Sequence, residues 1–266
     1  MGLSDPANVG TEIMFERVGD HVAVVTLNRP EKRNAVNVAM TRELADAVRR
    51  VEEDDSIRVA ILASSLPTVF CAGADISEVA AGRAFALSTP DGGFAGFHAA
   101  KRKKPWIAAV RGAALGGGFE LCLACEMIVA AQDAQFGLPE VKRGLFAAAA
   151  GAYRLARTLP RNLAIEMLAT GDSIDAVRAH ALGLVNRVVP ADRVLAEALT
   201  LAGRVASCAP LGVQESIHLA KIAIEHDENE LRTLTQEAAA RVFGSADAKE
   251  GTRAFAEKRE PVWSGR

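Results

Sequence analysis

The chain has no strong excess of charge, few cysteines and no long hydrophobic run. Its 266 residues carry 31 Lys and Arg against 33 Asp and Glu, a formal net charge of −2. That balance excludes a global pull toward nucleic acid or an anionic membrane, so any phosphate contact has to be local. Four cysteines, Cys71, Cys122, Cys125 and Cys208, are too few for a disulfide framework at this length. Cys122 and Cys125 form a C-x-x-C pair inside an apolar run, where cysteine is expected as a small buried hydrophobe. The longest apolar run, Phe119 to Ala131, is broken by Glu120 and Glu126 and falls short of the roughly 18 residues a membrane span needs. Met1 to Gly10 is polar and lacks the apolar centre of a signal peptide. A soluble, cytoplasmic protein is the expectation. The histidines His21, His98, His180, His218 and His226 are scattered without ligand spacing, so no metal is expected. Lys101 to Lys104 is basic but not interleaved with aromatics, and is expected to be a solvated helix end or a local phosphate contact.

Half of the residues are hydrophobic, enough for one sizeable core plus an appendage. Thr11 to Arg17 and His21 to Leu27 are β-rich runs separated by Gly19-Asp20, a hairpin signal. Thr41 to Val51 has helical spacing. Val59 to Ala63, Trp106 to Val110 and Met127 to Ala131 are short apolar runs typical of buried strands. Ala80 to Gly96 is small, polar and Gly-rich, the pattern of a mobile loop. Beyond about Pro160 the spacing predicts helices over Asn162–Thr170, Ile174–Ala181, Ala191–Ala206, Pro210–Glu225 and Glu228–Phe243, with Val185 to Val189 the lone strand among them. A loose strand–strand–helix unit recurs in the first part. The order implies an α/β core with a helical C-terminal extension.

Gly116-Gly117-Gly118 follows a strand and precedes a helical run. Glycines there let a ligand approach the backbone, and free N–H groups at a helix start favour negative charge. The spacing is neither that of a P-loop nor of a dinucleotide fingerprint. Phe70-Cys71-Ala72-Gly73-Ala74-Asp75 is a second small-residue turn. Two such turns could aim two backbone N–H groups at one oxygen. Glu120 stands directly after the glycines in an apolar helix start, where a carboxylate is expensive unless paired or used. Glu140, after Phe136-Gly137-Leu138-Pro139, reads by itself as an ordinary turn carboxylate.

Together these pieces resemble the crotonase (enoyl-CoA hydratase/isomerase) superfamily. Asn28-Arg29-Pro30-Glu31-Lys32-Arg33-Asn34-Ala35 is similar to its N-terminal CoA segment. Ala72-Gly73-Ala74-Asp75-Ile76 resembles its first oxyanion loop, and Gly112 to Leu121 its second. Phe136 to Glu140, Gly183-Leu184-Val185 and the closing Ala254-Phe255-Ala256-Glu257-Lys258-Arg259 also match. The resemblance spans Val22 to Trp263.

The resemblance implies a crotonase-type spiral of ββα units over residues 1–200 and a helical C-terminal trimerisation region over 201–266. It implies an acyl-CoA thioester as substrate, no separate cofactor, no nucleic acid or membrane partner, and a homotrimer or homohexamer. The amides of Ala74 and Gly117 would bind the thioester oxygen. Arg33, Ala35, Ala72, Asp75 and Ile76 would lie along CoA, and Phe255 and Lys258 would approach CoA, often that of a neighbouring subunit. Glu120 would be the general base and Glu140 the general acid of a 2-enoyl-CoA hydratase, a lyase of the kind used in fatty-acid β-oxidation. Other enolate chemistry, such as double-bond isomerisation, or non-catalytic acyl-CoA binding are the alternatives. One stretch departs from the family: where hydratases carry Pro-Gly-x-Gly-Gly, this chain has Ala147-Ala148-Ala149-Ala150-Gly151. Alanine does not easily take positive φ, so a differently shaped loop is expected there.

Overall fold

The computed structural model describes residues 12–266. Met1 to Gly10 and Thr11, the start of the first predicted strand, lie outside them. The chain opens with β1 (Ile13–Val18) and β2 (Val22–Leu27), paired antiparallel around Gly19 and Asp20 as the hairpin signal predicts. Next come α1 (Val38–Glu53), β3 (Val59–Ser64), β4 (Val69–Cys71) and α2 (Ile76–Ala80). A short hairpin, β5 (Ser88–Thr89) and β6 (Gly93–Phe94), precedes β7 (Trp106–Val110), β8 (Ala113–Leu115) and α3 (Gly117–Ala124). β9 (Met127–Ala131), β10 (Gln135–Gly137), α4 (Gly151–Thr158), α5 (Arg161–Thr170), β11 (Ser173–Asp175), α6 (Ala176–Ala181) and β12 (Arg187–Val189) follow. The chain finishes with α7 (Val194–Ala206), α8 (Pro210–Ile222), α9 (Glu228–Phe243) and α10 (Ala246–Glu257).

The longer strands form one six-stranded sheet, β1-β2-β3-β7-β9-β12, parallel apart from the first pair. Every residue of β3 and β7 is buried, which explains their unbroken apolar sequences. The short strands form a second sheet, β11-β10-β8-β4. β3, β7 and β9 are each followed directly by a strand of the second sheet, so the chain steps repeatedly from one sheet to the other. This is the recurring strand–strand–helix unit. In α1, Met40, Leu44, Ala47, Val48 and Val51 face the core, and the Asn37 side chain caps the start by accepting from the Met40 amide.

Several expectations need correction. Ile174 to Ala181 is not one helix. Ser173–Asp175 pairs antiparallel with β10, and the Asp175 side chain then caps α6 by accepting from the Arg178 amide. The strand in Val185 to Val189 begins only at Arg187, and β11 shares the C-terminal half with it. Ala191 to Arg193 is a 3-10 turn before α7, and α8 stops at Ile222. Ala80 to Gly96 is folded into a 3-10 turn (Ala84–Leu87) and the β5–β6 hairpin. Only Lys101 and Lys103 of the Lys101 to Lys104 cluster are exposed to solvent. Lys104 is buried, and its Nζ donates to the carbonyls of Val51 and Asp54, both at 2.7 Å, closing the C-terminal end of α1. Arg102 is also buried, with its guanidinium 4.0 Å over the Phe97 ring.

Cys71, Cys122 and Cys125 are free thiols, and burial pushes Cys71 and Cys125 up to about 12 and Cys122 upward as well. Thiols held protonated in this way are packing groups rather than redox centres. α7 lies against the six-stranded sheet and runs across position 200 to Ala206. Beyond it, α8 has no buried residue and α9 has only Ala238.

Candidate active site

Parallel pairing in the second sheet sets the site. β4 and β10 both run parallel to β8, so all three strands end on the same side. The segments that leave them carry Ala72 to Asp75, Gly116 to Gly118 and Leu138 to Glu140. The Gly116 amide donates to the Gly137 carbonyl (2.9 Å), which keeps the second and third segments in register past the strand ends.

The first two segments touch through their backbones. A methyl group on Gly73 (φ +94°) would stand 2.9 Å from the Leu115 carbonyl oxygen and 3.0 Å from the Gly117 nitrogen. One on Gly117 would stand 3.5 Å from the Ala74 nitrogen. The Ala74 segment is held from behind, because Val36 N donates to the Gly73 carbonyl (2.8 Å) and Asp75 N donates to the Val36 carbonyl (2.9 Å). The amides of Ala74 and Gly117 donate to no other group among the described residues. Two neighbouring donors are thus free for one acceptor, and Gly117 adds the N-terminus of α3.

Both predicted carboxylates reach the same place. Glu120, in the first turn of α3, is only 4% exposed, and its Oε1 accepts from the Gly151 amide at the start of α4 (2.8 Å). Burial raises it to about 7; the Gly151 hydrogen bond opposes this and the charge of Glu140 adds to it. Glu140 follows β10 in the Pro139–Arg143 turn. Burial raises it too, and its Oε2 is buried without a partner among the described residues.

These groups line a cavity of about 650 Å³. Ala74, Gly117, Glu120 and Glu140 share it with the predicted CoA contacts Arg33, Ala35, Ala72 and Ile76. Asp75 is not among the residues that line it. Its carboxylate pairs with Arg29 (2.7 Å) and caps α2 through Ser77. Burial alone would raise it, but Ser77 and Arg29 hold it down to about 2. Phe255 and Lys258 lie on and just after α10, away from this cavity, with Phe255 88% exposed. Phe94, His98, Leu145 and Phe146 also line it and were not singled out from sequence. Phe85 and Phe146 are largely exposed despite lining it, a pattern that points to an apolar ligand. Asn34 was quoted only as part of a motif. It is fully buried and ties the CoA segment to the core by donating to Ser64 Oγ (2.9 Å) and the Phe70 carbonyl (3.0 Å).

Within the alanine run, Ala150 adopts a left-handed conformation that glycine takes more readily, with φ +76°. α4 can therefore start at Gly151 and present its amide to Glu120.

Two amides unpaired among the described residues, the buried Glu120 and the half-buried Glu140 thus meet around one cavity on a spiral of two sheets. The chain belongs to the enoyl-CoA hydratase/isomerase family, whose model matches residues 17–266. It is 40% identical over 250 residues to the carnitinyl-CoA dehydratase of Proteus mirabilis, covering 92% of this chain and 95% of that one. It is 38% identical over 263 residues to the enoyl-CoA hydratase EchA19 of Mycobacterium tuberculosis, covering 97% and 98%. Its fold is that of a crystal structure of enoyl-CoA hydratase from Mycobacterium tuberculosis H37Rv, with TM-score 0.91 and 40% identity over 96% of this chain and 99% of that one. The fold is therefore the crotonase α/β spiral with a helical C-terminal region.

Proposed function

We propose that this hydro-lyase adds water across the 2,3-double bond of 2-enoyl-CoA thioesters. The observation that carries the reading is the convergence of Glu120 and Glu140, both raised by burial, on the cavity that holds the two free amides. The names of the similar hydratases and dehydratases support it. Water attack at C3 moves the electron pair of the double bond toward the thioester oxygen. The Ala74 and Gly117 amides stabilise the resulting enolate oxygen, one such donor contributing about 2.7–4 kcal/mol to a transition state. Ionised Glu120 accepts the proton of the attacking water, and protonated Glu140 delivers one to C2. A carboxylate near 7 can be ionised at neutral pH and still accept a proton readily.

Isomerisation needs only one proton shuttle, so the presence of both glutamates in the cavity favours hydration. The exposed faces of α8 and α9 support self-association as a trimer or paired trimers. Crotonyl-CoA tests the reading: hydration removes the absorbance of the conjugated thioester. Rapid loss is expected, and Glu120→Gln and Glu140→Gln should each slow it by about a hundredfold or more. No loss with short or medium 2-enoyl chains would overturn it.

A further inference from the structure

His98 lines the cavity but has no part in the chemistry above. It lies between β6 and β7, and its ring is closely fitted. A methyl group on Gly93 (φ +59°) would stand 2.1 Å from the ring Cε1 and 2.5 Å from Nδ1. The backbone is held as well: the His98 carbonyl accepts from an Arg154 guanidinium nitrogen at 2.8 Å. Nδ1 is buried beside the Phe94 carbonyl without forming a well-aligned hydrogen bond. Nε2 is neither buried nor bonded among the described residues, so it is the polar edge the ring can offer to the cavity.

Burial, Arg154 and Arg102 push the imidazole below its ordinary value, so it is neutral at physiological pH, with one donor and one acceptor nitrogen. The charges that act on it are those two arginines, and Arg154 also acts on Glu120. Phe94, Phe146, Ala148 and Ala149 give the same cavity apolar lining.

We propose that His98 is a specificity-determining residue that reads a hydroxyl group carried on the acyl chain. A hydroxyl both donates and accepts, so it pairs with Nε2 whichever ring nitrogen holds the proton. A plain alkyl chain would desolvate Nε2 without replacing its water. A chain ending in a fixed cation would meet the field of Arg154 and Arg102. The inference rests on the acyl-CoA reading of the cavity, but not on hydration itself.

The test is calorimetric binding of saturated CoA thioesters, in a ladder of short to medium chains ending in a hydroxyl, a methyl or a trimethylammonium group. At one or more lengths the wild-type protein should prefer the hydroxyl over the methyl end by about tenfold, and disfavour the cationic end. His98→Leu should erase the hydroxyl preference and His98→Gln should restore part of it. The preference is a ratio within one protein, so a general loss of affinity does not imitate it. Equal binding of the hydroxyl and methyl series at every length, or a preference that persists in His98→Leu, overturns the inference. Because these ligands do not react, the result stands whether or not crotonyl-CoA is hydrated. Failure to bind any CoA thioester would overturn both readings.

Discussion

The two walls of the cavity follow different rules. The wall made by Ala72 to Ala74 and Leu115 to Gly117 consists of backbone in contact with backbone, and a single methyl group at Gly73 would meet a carbonyl oxygen and an amide nitrogen at about the same distance. The wall made by Leu145, Phe146, Ala148 and Ala149 consists of side chains, and the residue that ends this segment, Ala150, holds a left-handed conformation at a cost of about 1–2 kcal/mol. Atoms cannot be added to the first wall without moving the donors. The second tolerates a methyl group even where the backbone argues for glycine. Under the proposed function the difference teaches how one fold can keep a fixed thioester chemistry while its acyl preference varies, with the carbonyl met by main chain and the acyl chain by replaceable side chains.

The sharpest way to break this contrast is Gly73→Ala, which should lower kcat/KM for crotonyl-CoA by at least about a thousandfold, because both donors are displaced. A variant with near-normal kcat/KM would show that the amide wall is not as rigid as its contacts indicate. Next in size is Glu120→Gln, with the loss of about a hundredfold or more given above, and it carries a second signature. Glu120 rises from 4.5 to about 7 on folding. Its raised value favours the folded state below about 4.5, and that stability is lost as pH rises through about 7. Glu120→Gln should therefore melt at higher temperature than wild type at pH 8, by on the order of 3 kcal/mol, with the gap closing at pH 5.

The pH dependence of kcat/KM comes next. Activity should rise through about 7 as Glu120 ionises. A profile flat from pH 5 to 8 would remove Glu120 as the base. The smallest effect should come from the side-chain wall. Ala150→Gly relieves the left-handed strain and should stabilise the protein by about 1 kcal/mol in thermal unfolding. A destabilised variant would mean that the methyl group is needed for packing.

Much of the frame was legible because burial writes itself into composition. The fully buried strands Val59–Ser64 and Trp106–Val110 are unbroken apolar runs, and α1 shows its buried face as spacing. The three-residue strands β4, β8, β10 and β11 were not legible. They are too short for a periodic signal and exist only through pairing with one another. That pairing is what makes the site, so the site was only half visible. Glu120 stood out as a charge in an apolar helix start. Glu140 looked like any turn carboxylate, and only β10 lying beside β8 brings it to the cavity. The Asp75 side chain caps α2 through Ser77, and a capping carboxylate and a ligand contact look alike in sequence. His98 carried no sequence signal, since its place depends on a hairpin and on the space left at Gly93.

The most direct measurement is a crystal structure with a non-reactive acyl-CoA thioester bound. The account predicts the thioester oxygen within roughly 3 Å of both the Ala74 and Gly117 nitrogens, with Glu120 and Glu140 beside the adjoining carbons. A thioester oxygen bound elsewhere, with those two amides left facing solvent, would contradict it.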